Sequence, residues 1–323
     1  MAIISLCSCE RGASPSSPPS PEPPPASPEP PPASPEPPPE TDVERDTRRC
    51  EAGDLPACTA LGIRCADGDG VEQDDERATA LLERACTGGD APGCGELGRL
   101  VLLGRSGVQD VARGGALYEQ ACNGGDLPSC ANLGAMVAEG RYGPGPDEAR
   151  GFALVSRACD GGELLGCYNL AFMLAEGSEG VRDLPRAQSV YERACEGGEP
   201  RSCRNLGLMF ATGRGVPINL ERGAGLYQRA CDGGDPAGCS NLAYAYTMGE
   251  GVPQNSEHAF ALYTRGCDGG DLFGCSKLGE LFLDGAHVPQ AETDRVRGLE
   301  LLRLACEGGR QRACDRLADE TAQ

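Results

Sequence analysis

The cysteines of this sequence carry its most specific chemistry. Sixteen of nineteen fall into eight pairs, eight positions apart: Cys50/Cys58, Cys86/Cys94, Cys122/Cys130, Cys159/Cys167, Cys195/Cys203, Cys231/Cys239, Cys267/Cys275 and Cys306/Cys314. Such pairs could bind a metal or form disulfides. Structural zinc takes cysteines about two to four residues apart, with two such pairs converging. Here the spacing is wider and successive pairs stand a whole repeat apart, so no metal and no cofactor is expected. A disulfide needs Cα atoms closer than about 7 Å, whereas a continuous helix would hold residues eight apart at roughly 12 Å. The chain must therefore reverse between them. Cys122-Asn-Gly-Gly-Asp126-Leu-Pro128-Ser-Cys130 shows how: Gly-Gly ends one helix, and Asp126 caps the next, with Pro128 in its first turn. Asp54, Asp90, Asp235 and Asp271 recur in the Asp126 slot. The spacing predicts eight bridges, each tying the second helix of one unit to the first helix of the next. That many disulfides imply an oxidising compartment.

The elements that position these pairs follow from the period. First cysteines advance by 36, 36, 37, 36, 36, 36 and 39 residues, a spacing that marks a solenoid. Counting from the second cysteine, +3 is leucine and +4 is small, as in Leu61-Gly62, Leu133-Gly134 and Leu170-Ala171. Position +7 is apolar, and Cys65 occupies that slot as a buried hydrophobe. Spacings of 3, 4 and 7 define one helix face. A second helix carries Arg-Ala or Arg-Gly, a hydrophobic pair and Ala-Cys, as in Arg186-Ala187, Val190-Tyr191 and Ala194-Cys195. The expected fold is all-α: a solenoid of about seven helix-turn-helix repeats of ~36 residues over 42–320, stapled by disulfides. Half-units from Asp42 to Cys50 and from Arg310 to Ala318 cap its ends.

Composition agrees. The 323 residues hold 49 acidic and 29 basic side chains, a net charge of −20, which excludes nucleic acid as the main partner. Aromatic residues are 4% and tryptophan is absent, as suits thin layers rather than one large core. Residues 14–41 are proline-rich, with heptads from Ser20, Ser27 and Ser34, and read as an extended stalk. Within residues 1–13, Leu6-Cys7-Ser8-Cys9 resembles a truncated signal segment with a lipobox, Cys9 being the residue to be lipidated. The chain is therefore expected to be exported: periplasmic, anchored to the outer membrane as a lipoprotein, or secreted, touching membrane through lipid alone.

The repeat resembles the Sel-one-like repeat, a relative of the tetratricopeptide unit. The resemblance rests on the small residue after leucine, on loops such as Gly213-Arg-Gly215-Val216 and Gly249-Glu-Gly251-Val252, and on the Arg-Ala second helix. The paired cysteines resemble the Helicobacter cysteine-rich protein family. This resemblance implies a right-handed α/α superhelix with a concave face that binds proteins. It also implies an alternative, a slow penicillin-binding or β-lactamase-like hydrolase. The residues themselves supply no catalytic set. A serine β-lactamase needs serine three residues before lysine, and Gly274 stands there before Lys277, the chain's single lysine. The two histidines, His258 and His287, occupy variable surface slots.

A binding face is better supported. Position +2 is asparagine in four successive repeats, Asn132, Asn169, Asn205 and Asn241, and Lys277 ends the row. Positions +6 and +9 bring Met136, Met173 and Met209 with Glu139 and Glu176 to the same side. Asparagine both donates and accepts, so such a ladder can pair with the backbone of an extended peptide, with methionine giving adaptable apolar contact. The expected function is a non-catalytic exported scaffold binding a protein or peptide in its concave groove. A passive envelope spacer is a further alternative.

Overall fold

The computed structural model describes residues 40–284 and 291–321. Cys7, Cys9, His287 and the proline-rich heptads up to residue 39 lie outside the described residues. Thr41–Gln323 forms one unit, built among the described residues from sixteen α-helices: α1 (Asp42–Glu51), α2 (Leu55–Asp67), α3 (Asp75–Thr87), α4 (Ala91–Leu103), α5 (Val111–Asn123), α6 (Leu127–Ala138), α7 (Glu148–Asp160), α8 (Leu164–Glu176), α9 (Leu184–Glu196), α10 (Pro200–Thr212), α11 (Leu220–Asp232), α12 (Pro236–Met248), α13 (Ser256–Asp268), α14 (Leu272–Leu283), α15 (Ala291–Glu307) and α16 (Gln311–Thr321).

All eight cysteine pairs are disulfides: Cys50–Cys58, Cys86–Cys94, Cys122–Cys130, Cys159–Cys167, Cys195–Cys203, Cys231–Cys239, Cys267–Cys275 and Cys306–Cys314. Their Cα atoms lie 4.3 to 4.7 Å apart. Each joins an odd-numbered helix to the even-numbered helix that follows. The second cysteine of a pair stands a full turn inside its even helix rather than at the helix start, because the cap and the first turn come before it. Cys58, Cys94, Cys203 and Cys275 are buried there and Cys314 is half-buried, so these residues staple helices and offer nothing to a partner.

The turn between the bridged helices uses its two glycines differently. Only the second is left-handed, at φ between 90° and 100°. The first stays right-handed and is small for another reason. A Cβ on Gly161 would lie 2.4 Å from Leu127, and one on Gly197 would lie 2.6 Å from Leu164, so each turn docks on the start of the preceding even helix. In the first turn no even helix precedes, and that slot holds Ala52.

Asp126 accepts from Ser129 N at 3.0 Å and Asp271 from Gly274 N at 2.8 Å, as N-caps should. Asp235 departs from this expectation. It stands at the N-cap of α12 without a side-chain cap bond, because its carboxylate takes the Arg204 Nε at 2.6 Å. The odd helices start on their own caps, among them Asp74 and Asp147.

Within each repeat the even and odd helices cross where both are small. A Cβ on Gly134 would lie 2.6 Å from Val155 Cγ1 and 3.0 Å from Gly151 O, and one on Gly151 would lie 2.7 Å from Gly134 O. The two backbones touch. Gly134→Val is expected to cost about 1–3 kcal/mol by overpacking. Urea denaturation checks this, and an unchanged midpoint would contradict the contact. Cys65 is fully buried beside Leu61, Ala78 and Leu82, and burial pushes its thiol up. It packs as the core residue its slot requires.

Successive repeats are joined by polar contacts beside the bridges. Arg157 reaches Cys122 Sγ at 3.8 Å, and Arg193 reaches Cys167 Sγ at 3.5 Å and also Cys159 Sγ. Arg229 and Arg265 donate instead to the carbonyls of Cys195 and Cys231, at 3.1 and 2.6 Å. Even helices also pack on the next even helix from α2 to α8 and again from α10 to α14, whereas odd helices pack chiefly on even ones. The even helices are therefore the closer-set, inner layer.

Candidate functional site: the face of the even helices

The asparagine row lies on α6, α8, α10 and α12, each residue half-buried. Two members have structural work. Asn169 Nδ2 donates to Ala131 O of α6 at 3.1 Å, and Asn205 Nδ2 donates to the Tyr191 hydroxyl at 3.1 Å. Of the row, only Asn169 and Asn205 make side-chain hydrogen bonds among the described residues.

The methionines differ from expectation. Met136 and Met209 are only 2% and 4% exposed, so they belong to the core rather than to a groove wall. Position +6 stands about 100° round the helix from +5, which turns it into the seam between neighbouring even helices. Met173 is also buried but borders a cavity. Glu139 pairs with Arg141, Glu176 with Arg214, Asp284 with Arg316, and Lys277 Nζ with Glu280 at 2.6 Å.

Position +5 is what the sequence reading missed. Phe172 and Leu208 are each 47% exposed and Tyr244 38%, in a row on α8, α10 and α12, with Met248 at the end of α12. The signal was present: +5 lies three residues beyond the asparagine and four before +9, on one helix face.

Two depressions flank this row. The first, about 320 Å³, lies between the C-terminal ends of α6 and α8 and is lined by Ala135, Glu139, Glu148, Phe172, Met173 and Glu176, among others. The Ser178 hydroxyl and backbone N–H donate to Glu148 and hold its carboxyl below the usual range. The second, about 580 Å³, is bounded by Leu208, Asn241, Tyr244, Phe273, Lys277 and Arg312, among others. His258 is exposed and meets Tyr246 edge-on at 4.5 Å. Among the described residues no three His, Cys, Asp or Glu side chains are placed to hold a metal ion, and no helix is long and apolar enough to cross a membrane.

A stack of helix pairs with the even helices as its inner layer defines an α-solenoid. Seven copies of the Sel1 repeat match residues 55–90, 91–126, 127–163, 164–199, 200–235, 236–271 and 273–309, and the chain belongs to that family, whose members typically act as protein-interaction scaffolds. Among solved structures it is similar to a protective antigen of uropathogenic Escherichia coli displaying an SLR fold. Identity is 27% and the TM-score 0.64, over 87% of this chain and 59% of that one. This chain thus spans under two thirds of that antigen. It is also similar to a Sel1 repeat protein from Oxalobacter formigenes, with 20% identity and a TM-score of 0.65 over 82% of this chain and 99% of that one. Helicobacter pylori cysteine rich protein B shares 28% identity over 39% of this chain and 90% of its own, with a TM-score of 0.34. No curated protein matches the sequence.

Proposed function

We propose that this protein is an exported, non-catalytic scaffold that holds an extended segment of a partner protein along the even-helix face. The observation that carries the reading is the solvent-exposed row Phe172, Leu208 and Tyr244 beside the asparagines, with a depression at each side. Exposed apolar rows rimmed by polar groups are what interaction surfaces present. Asn132 and Asn241 supply free amides for the partner's backbone, whereas Asn169 and Asn205 hold the scaffold itself. Eight bridges and the proline-rich segment before Thr41 support residence outside the cytosol, with Cys9 as the residue to carry lipid.

The test begins with peptides selected on the intact protein from a random displayed library. Binding of those peptides to Phe172→Ala/Tyr244→Ala is expected to weaken at least tenfold, about 1.4 kcal/mol, with the melting temperature kept. Peptides that bind the double variant as tightly as the parent would refute the groove.

A further inference from the structure

We propose that the depression between α6 and α8 is a socket for a lysine or arginine side chain of the partner segment, an inference that rests on the groove reading above. Its floor is apolar, formed by Ala135, Ala138, Phe172 and Met173, while its rim carries three carboxylates, Glu139, Glu148 and Glu176. Among the described residues no basic side chain lines it. A long cationic residue has the matching chemistry, since its methylene stem packs on apolar surface while its charged head reaches polar groups. Phe172 offers an aromatic face to the same cation.

Two features of the backbone reinforce the charge complementarity. Both α6 and α8 end at this cavity, at Ala138 and Glu176, and helix C-termini carry partial negative charge that favours cations. At the α8 end Arg214 and Arg182 already donate to the Ala175 and Gly177 carbonyls, which leaves the α6 end as the main contribution. Gly177 caps α8 there, and a Cβ on it would lie 2.7 Å from Glu148 Oε1. The absent side chain is what lets the Glu148 carboxylate close in, where Ser178 fixes it. Among the described residues Glu148 has no basic partner. Glu139 and Glu176 do, in Arg141 and Arg214, but these are half-exposed pairs of the kind that hold weakly and can share an incoming charge. A volume of about 320 Å³ is at the small end of ligand pockets and suits one side chain better than a cofactor.

Met173 borders the socket and Met248 the other depression, so methyl-labelled methionine reads them separately. The probes are an acetylated, amidated heptapeptide of serine and valine with a central lysine, and its norleucine counterpart, which keeps the stem and lacks the ammonium. The lysine peptide is expected to shift the Met173 methyl resonance with an affinity about tenfold above that of norleucine. Glu148→Gln, which can still accept from Ser178, and Glu176→Gln together should abolish this preference and leave the Met248 response alone. Equal affinity for lysine and norleucine overturns the socket. So does a lysine peptide that shifts Met248 and not Met173, although the groove then stands. If neither peptide moves either methyl up to millimolar concentration while library-selected peptides move both, the socket falls alone; if those also fail, the groove falls with it.

Discussion

Complete reduction of the protein, followed by alkylation, is expected to abolish its cooperative helical fold at 37 °C. Each bridge closes a ring of about nine residues, and chain entropy assigns such a ring roughly 2–3 kcal/mol. A folded domain of ordinary stability stands only about 5–15 kcal/mol above its unfolded state. A few bridges therefore span that margin, even where their contributions do not add. The inner bridges are sealed, with Cys122, Cys130, Cys231 and Cys239 at most 1% exposed, while Cys306–Cys314 at the C-terminal end is half-buried. Reductant should consequently reach the inner bridges in opened molecules, and the loss of ellipticity should be slow in native buffer and fast in mild urea. Removing one bridge by Cys231→Ser/Cys239→Ser should lower stability by about 2–3 kcal/mol in the same chain-entropy terms. Circular dichroism on the reduced, alkylated chain decides the matter. A retained, sharp thermal transition would mean that helix packing alone suffices.

Alkaline pH is expected to unfold the oxidised protein well before its tyrosines ionise in the native state. Burial pushes the phenols of Tyr118, Tyr227 and Tyr263 up to about 12, and raises Tyr191 further. Each sits in an odd helix, four residues before its cysteine. A raised phenol pKa means that the fold favours the neutral form. Its stabilising contribution is complete below the unfolded value near 10 and is lost as pH climbs from there toward 12. One pH unit corresponds to about 1.4 kcal/mol for one group, so four together withdraw several kcal/mol by about pH 11. The part of the tyrosinate absorbance that belongs to these four of the chain's eight tyrosines should therefore appear together with the loss of ellipticity between pH 10 and 12. Tyr263→Phe should move that midpoint upward. Ionisation of all eight tyrosines with helicity intact would show the four rings to be wetter than their burial implies.

The scaffold was legible because its constraints recur. A cysteine pair, a Gly-Gly turn and a small residue at +4 each answer a covalent or steric demand that the repeats must meet, so the pairs recur eight times and the Gly-Gly turn seven. The face that meets a partner has no such demand. Position +5 reads alanine, phenylalanine, leucine and tyrosine at Ala135, Phe172, Leu208 and Tyr244, and no shared residue type marks it. Met136 and Met209 lie on the expected helices but turn into the seam, since a rotation of one residue decides between seam and solvent, while Met173 reaches the cavity edge. Asn169 and Asn205 illustrate another limit. Their types suggest recognition, but what they bond depends on how a neighbouring helix is stacked, at a separation of 38 and 14 residues. The same holds for Asp235, whose cap was displaced by Arg204 from the repeat before.

Every bridge, from Cys50–Cys58 to Cys306–Cys314, spans eight positions, and this has a consequence for how the molecule is made. None of the rings encloses another, and none waits for a distant segment to arrive. The right partner for a bridged cysteine is its nearest bridged neighbour along the chain, Cys58 alone having a nearer thiol in Cys65, and contacts within about ten residues form in tens of nanoseconds. During vectorial synthesis each ring can close as soon as its second thiol emerges, so the order of appearance is also the order of correct pairing. Scrambled isomers, the usual hazard of a chain so rich in thiols, should be scarce even without an isomerase.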